Sequence, residues 1–286
     1  MGRRFPCSRA LLGVFALLLG WLPVAQGAAA LTFGVFPRWN AQVTVRDFTP
    51  LAQVLGRALG GPVQLETDKD FGSFMDRVRA REFDLVHLNQ LQYLSAREAA
   101  GYRALAKVCE RGPCTIRALV VVRRDAGLAS LADLKGRTVA FGDPGAVVSY
   151  LLARSVIERS GLAPADYRAI FTRNPPNALL AVYNGAADAA GVGSAIFERP
   201  EVRRHLDPAR LQVLAESDPI PQLPVAVRAG LDPELAARIL ETLVGLRGLA
   251  GGGDALDRIG ADRFEPAEDR EYQSLGAFLG VVDGGR

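Results

Sequence analysis

The sequence predicts an α/β fold of two lobes, each a mostly parallel sheet flanked by helices, joined by a two-segment hinge. Three observations predict it. From residue 31 to 88, short apolar runs of strand length alternate with stretches of helical periodicity, the pattern of sheets built with crossover helices. A second series opens with the β-branched run TIRALVVVRRD at 115–125. The chain then comes back through the proline-punctuated stretch LAESDPIPQLPV at 214–225, so two segments cross between the series. On this division residues 28–117 and 222–286 form the first lobe and residues 118–221 the second.

Residues 1–27 stand apart from the fold. MGRRFPCSR is a basic start, ALLGVFALLLGWLPV is an apolar run too short for a confident membrane span, and Ala25-Gln26-Gly27 offers small residues at a cleavage site. This is the pattern of a secretory signal peptide, so a soluble, exported protein of the periplasm is expected. Cysteine does not follow the site, so a lipid anchor is not expected.

In the first lobe, LTFGVFP (31–37) reads as a buried strand entering a loop. Phe48, Leu51, Val54, Leu55, Ala58 and Leu59 have helical spacing, and Gly60-Gly61 stops that helix. PVQLET is the next strand, 74–80 a helix with Asp70 as a candidate N-cap, and FDLVHL (83–88) another buried strand. In the second lobe, Ser130 caps a short helix, LADL, and RTVAF (137–141) is a strand. It delivers the turn FGDPGAVVSY, and a helix follows over 148–160, closed by Gly161. After YRAIFT come a Pro175-Pro176 turn, a helix over 178–183 capped by Asn177, and a strand over 186–192. Helices over 233–246 and 254–259 finish the chain.

Charge excludes some partners. Arg3, Arg4 and Arg9 belong to the signal, and without them 31 of the 34 bases face 31 acids. Nothing then favours nucleic acid or an anionic membrane surface. The two histidines, the absence of a G-x-S-x-G turn and the absence of metal-spaced ligands give no catalytic set and no cofactor. Cys7 leaves with the signal; Cys109 and Cys114 remain, spaced CERGPC across a Gly-Pro turn. In an oxidising compartment an even pair this close reads as a disulfide closing a hairpin, contributing about 2 kcal/mol in the chain-entropy model. A dithiol that captures a soft metal or metalloid is the other reading.

Six stretches occur in a recognisable order: LTFGVFP, FDLVHLNQLQYLSA, ALVVVRRDAGLASLADLKGRTVAFGDP, NALLAVYNGAADAAGVGS, AESDPIPQLPVAVR and IGADRFEPAEDREYQSL. With them the chain resembles the periplasmic phosphonate-binding proteins of ABC importers, over nearly its whole mature length. The resemblance implies a two-lobed periplasmic-binding-protein fold and a small solute, an oxyanion in the family, held in the inter-lobe cleft. It also implies a permease in the inner membrane as partner, a monomer, and no catalysis. A sensory relative that presents its ligand state to a membrane histidine kinase is the alternative, with a metalloid held by Cys109 or Cys114 as its variant.

The family's turn reads roughly D-P-x-S-T-S-G, and its hydroxyls and helix-start amides hold the phosphonate oxygens. Here the stretch is Asp143-Pro144-Gly145-Ala146-Val147-Val148-Ser149. The frame survives and the hydroxyls do not, apart from Ser149. Gly145, Ala146, Val147, Val148 and Ser149 are therefore expected to line the cleft by location, with backbone amides as the donors. Tyr150, on the first helical turn, either binds ligand or packs under the loop. The acid that meets a ligand amine in the family is Ala195, and Pro175 and Pro176 replace a His–acid pair. In the first lobe Phe71 stands for a tyrosine. His87, ending an apolar strand, is either a satisfied core residue or, where it falls on a ligand-facing aromatic of the family, a donor to an anion when charged. Asn89 and Gln90 add neutral donors beside it. Arg38 and Trp39 follow the first strand, where a first-lobe contact is expected: Arg38 as a bidentate partner for an oxyanion, Trp39 as a wall, or both as surface loop.

Overall fold

The computed structural model describes residues 1–2, 30–37, 41–110, 112–197, 202 and 206–278. The expected signal beyond Gly2, the loop residues Arg38 and Trp39, and the glycine-rich tail lie outside the described residues.

Strands β1 (Leu31–Val35), β2 (Val63–Glu66), β3 (Leu85–His87) and β4 (Arg103–Cys109) belong to one sheet. They are joined there by β12 (Pro224–Val227) and β13 (Arg263–Pro266), in the order β13–β4–β12–β3–β1–β2. The second sheet holds β6 (Ala118–Arg123), β7 (Thr138–Phe141), β8 (Arg168–Phe171), β9 (Ala189–Gly193) and β10 (Leu211–Glu216). Its order is β10–β6–β9–β7–β8. Between the sheets, β5 (Thr115–Ile116) and β11 (Ile220–Pro221) pair antiparallel, Ile116 opposite Ile220. These two crossing segments are the hinge.

The two-lobed α/β architecture is as expected, with most strands of each sheet running one way and a minority running against them. β1 pairs in parallel with β2 and β3, and β7 with β8 and β9. The crossing strands β6 and β12 run antiparallel to both their neighbours. The reason is directional. Most strands point their C-terminal ends at the hinge, whereas β6 and β12 start at the hinge and run away from it, as does the edge strand β13, antiparallel to β4. Ala118, the first residue of β6, accordingly lies opposite Gly193, the last of β9. β6, β9 and β12 read as unbroken apolar runs because both their faces are covered.

Several helices start earlier than periodicity alone indicated. α1 (Ala41–Leu59) starts upstream of Phe48 and carries Pro50 inside it. Its apolar stripe, Phe48, Leu51, Val54 and Leu55, packs with Phe33 of β1 and with the helix Gly252–Ile259. α2 (Phe71–Arg79) is capped by Asp70, whose Oδ1 accepts from the Ser73 amide at 2.8 Å. α3 (Gln90–Ala100) was not foreseen, since its moment is weak; Asn89 and Gln92 start it with a reciprocal capping box. α4 (Ala153–Glu158) is preceded by a wide π-helical turn, Val147–Leu152. α5 (Pro175–Tyr183) takes the Pro175-Pro176 pair into its first turn, where missing N–H groups leave nothing unpaired. Asn174, not Asn177, is its cap: Asn174 Oδ1 accepts from the Asn177 amide at 2.9 Å.

Each lobe has its own outer core, around Phe33 and Leu51 in the first and Leu179 and Val192 in the second. A third core is continuous across the hinge, from Phe74, Tyr93 and Tyr272 through Ile220 to Val120 and Phe141. Tyr272 donates to the Gln222 carbonyl at 2.9 Å and packs edge-on against Tyr93, so the C-terminal helix braces the returning hinge strand.

One half-buried carboxylate ties β1 to β3. Asp84 accepts from the Thr32 amide and hydroxyl, both at 2.9 Å, and from Arg228 Nε at 2.6 Å. Burial alone raises the pKa of Asp84, but the Thr32 donors and the Arg228 guanidinium outweigh it and hold the group below the usual carboxylate range. A carboxyl lowered on folding stabilises above its unfolded pKa and loses that contribution as pH falls through the folded value. Asp84→Asn is expected to lose about 1–2 kcal/mol at neutral pH. The gap to wild type should close in urea melts below about pH 4. A gap that stays constant into acid would contradict this role.

Candidate functional site

The strand ends of both sheets face a cavity of about 440 Å³ beside the hinge. From the first lobe Phe36, Pro37, Phe71, Asn89, Gln90 and Glu110 line it; Ile116, Gln222 and Leu223 form its floor at the hinge. The second lobe contributes the turn Asp143 and Gly145 to Ser149, the loop Arg173 to Pro175, and Gly193 and Ile196. Ligands of open α/β sheets bind in this position, beyond the carboxyl ends of strands.

The turn after β7 is held by its own acid. Asp143 Oδ1 accepts from the Gly145 amide at 2.8 Å, and the Asp143 carbonyl accepts from Ala146 at 3.0 Å. The Ala146 carbonyl then accepts from both Tyr150 and Leu151, at 3.2 and 3.1 Å, which opens the first turn to π width. The amides of Val147, Val148 and Ser149 come before any intrahelical carbonyl, so they are the unpaired donors of a helix start, at its positive end. Ser149 is 3% exposed, and its hydroxyl has no hydrogen-bond partner.

Glycines let this helix start sit where it does. A Cβ on Gly191 of β9 would lie 2.5 Å from the Ser149 carbonyl oxygen and 2.6 Å from the Phe141 ring. One on Gly142 would lie 2.8 Å from the Pro175 nitrogen. Arg173, at the cavity edge, adopts φ 75°, a left-handed conformation uncommon for a side-chain-bearing residue.

On the first lobe, Phe36 and Phe71 stack at 6.1 Å, and Phe71 is 39% exposed toward the opening. His87 sits behind them. It is buried, packs against Phe36 and Phe48, and does not line the cavity. Its Nδ1 lies 3.1 Å from the Pro224 carbonyl, an acceptor, which assigns the proton to Nδ1. A histidine in that position supports the cavity wall. Asn89 lines the cavity with its carbonyl oxygen committed to the α3 cap, accepting from Gln92 at 2.8 Å. Tyr150 packs under the loop, edge-on to Phe141 and Phe171 at 5.0 Å each, and is absent from the lining. The structure thus brings Phe71, Asn89, Gly145, Ala146, Val147, Val148 and Ser149 together, and leaves His87 and Tyr150 behind the wall.

Several lining residues were not singled out from the sequence. Glu110 is 4% exposed, and the Gln222 amide donates to its carbonyl at 3.1 Å. Cys109 and Cys114 are joined in a disulfide that closes the turn presenting Glu110. Glu265 brings a carboxylate within 4.8 Å of both sulfurs, but sulfurs bonded to each other are not thiolate ligands. Gln90 was read as a neutral donor. Its Nε2 donates one N–H to the Pro221 carbonyl at 3.0 Å, and its Oε1 is the atom without a partner.

Two lobes, a two-strand hinge and a cavity floored by that hinge define a two-lobed solute-binding protein. The chain belongs to the family of phosphonate periplasmic substrate-binding proteins of ABC transporters, whose family model matches residues 33–272. It is 22% identical over 277 residues to the phosphonates-binding periplasmic protein of Escherichia coli, covering 94% of this chain and 82% of that one. It is 23% identical over 222 residues to the phosphate-import protein PhnD of Mycolicibacterium smegmatis, covering 73% and 69%. The structure of PhnD1 from Prochlorococcus marinus in complex with methylphosphonate matches 89% of this chain and 98% of its own, at TM-score 0.73 and 17% identity. These relatives are substrate-binding proteins rather than enzymes, and the importer reading is the one the family carries. No helix among the described residues is long and apolar enough to cross a membrane.

Gly191→Ala tests the placement of the helix start. The added methyl has to displace the Ser149 carbonyl or the Phe141 ring, both packed, so a stability loss of about 1–3 kcal/mol is expected. Thermal unfolding of purified protein checks it; an unchanged Tm would mean the helix start moves freely.

Proposed function

We propose that the protein captures a small organic solute between residues 28–117 plus 222–286 and residues 118–221, and delivers it to a permease in the inner membrane. In this reading residues 1–27 export it, and it acts as a monomer. The observation that carries the reading is the cavity of about 440 Å³ at the hinge, with an amide-lined helix start in its wall. A cavity of that size lies in the range of about 300–1,000 Å³ that organic ligands occupy.

The chemistry of the wall argues for a ligand less charged, or larger, than a phosphonate. Ala146, Val147 and Val148 take the places of three hydroxyls in the family turn. Each hydrogen bond to a charged group contributes roughly 1.5–3 kcal/mol, so three lost bonds amount to several powers of ten in affinity. Ile116, Val148, Ile196 and Leu223 add apolar surface instead.

A panel of oxyanions and organic acids, amines and amides, screened by thermal unfolding, tests this reading. A solute at a hundredfold excess over its Kd stabilises by about 2.7 kcal/mol. For a chain of this size that corresponds to a Tm rise of about 5–10 °C. Solution scattering should show a smaller radius of gyration with the same solute, because closure follows only from tighter binding to the closed state. If no small solute raises the Tm, capture and delivery lose their basis.

A further inference from the structure

Among the described residues, two buried polar atoms in the cavity wall have no hydrogen-bond partner: Gln90 Oε1 on the first lobe and Ser149 Oγ on the second. Gln90 is 1% exposed and Ser149 3%. Native structures rarely leave such groups unpaired, and those that remain point to a function. The identity of the Gln90 atom is fixed by its neighbour. Its other terminal atom lies 3.0 Å from the Pro221 carbonyl, which only accepts, so that atom is the Nε2 donor. Oε1 is therefore an acceptor.

We infer that the solute is an organic molecule carrying an N–H or O–H donor toward Gln90 and a compact acceptor group toward the helix start. This rests on the solute-capture reading above and narrows its ligand class. A fully deprotonated oxyanion has nothing to donate to Oε1, and would fit only the second-lobe side. There the amides of Val147, Val148 and Ser149 and the Ser149 hydroxyl are donors. Between the two ends, Phe36, Phe71, Ile116 and Leu223 offer carbon to the ligand body. The acceptor is also tied to the hinge, because Pro221 belongs to β11. A ligand bound to Gln90 thus engages a side chain already anchored to the returning hinge strand.

Matched probe pairs that differ by the donor test the inference on the full mature chain by titration calorimetry: taurine against ethanesulfonate, and 3-hydroxypropionate against propionate. The donor-bearing member of at least one pair should bind at least about tenfold more tightly than its partner, the loss expected when one hydrogen bond is removed from a buried acceptor. Gln90→Met should erase that preference by weakening the donor-bearing member alone. Gln90→Glu, which keeps an acceptor but loses the donor to Pro221, should retain it, so a variant that merely disturbs the hinge is recognised. Ser149→Ala should weaken both members alike. Equal binding within each pair, or tighter binding of the donor-free member, overturns the inference and leaves solute capture standing. Binding of no member, together with no stabilising solute in the wider panel, overturns capture and the inference with it.

Discussion

The close approach of β9 to the first turn of the cleft helix is the contact on which the site depends. The Ser149 carbonyl occupies space that a side chain at Gly191 would fill, with only 2.5 Å to spare for a Cβ. Gly142 does the same for the α5 start at Pro175. With both positions bare, the turn after β7 lies flat on the sheet end and the helix starts at the cavity wall. The π-width first turn is part of the same arrangement, since one carbonyl, Ala146, serves both Tyr150 and Leu151. The result is a patch of free amides presented by apolar side chains.

Three polar contacts converge on the returning hinge segment. Gln90 donates to the Pro221 carbonyl, Gln222 donates to the Glu110 carbonyl, and Tyr272 donates to the Gln222 carbonyl. Residues 221 and 222 are therefore held by α3, by the disulfide-closed turn and by the C-terminal helix together. Glu110, Gln90 and Gln222 also line the cavity. Binding in the cavity and bending at the hinge share these side chains, which gives a ligand a physical means of favouring one hinge angle over another.

Much of this was legible in the sequence. Alternation of strand and helix patterns, the β-branched entry at 115–125 and the proline-punctuated return at 214–225 gave the lobes and the hinge. The Gly-Pro turn followed by a helix marked the wall at 143–149, and the CERGPC spacing marked the disulfide. Direction was less legible. Strand patterns carry no sign, so the antiparallel entry of β6 and β12 had to come from tertiary topology. His87 was ambiguous because a lone histidine at a strand end looks the same facing a ligand or a Pro224 carbonyl. Asn177 was read as the cap of α5, but the prolines before it join the first turn, which moves the cap back to Asn174. Gln90 shows a further limit: which end of an amide stays unpaired depends on a partner 131 residues away. Arg173 and Glu110 had no local signature, since one is defined by its backbone angle and the other by the cavity around it.

The most direct measurement is the identity of what the protein holds when purified, without denaturation, from its own periplasm. Mass spectrometry of the denatured supernatant should find a stoichiometric organic solute bearing an N–H or O–H donor and a compact acceptor group. Recovery of an oxyanion that carries no N–H or O–H, such as sulfate, as the stoichiometric ligand would contradict the account, because nothing in such an ion donates to the buried amide oxygen of Gln90.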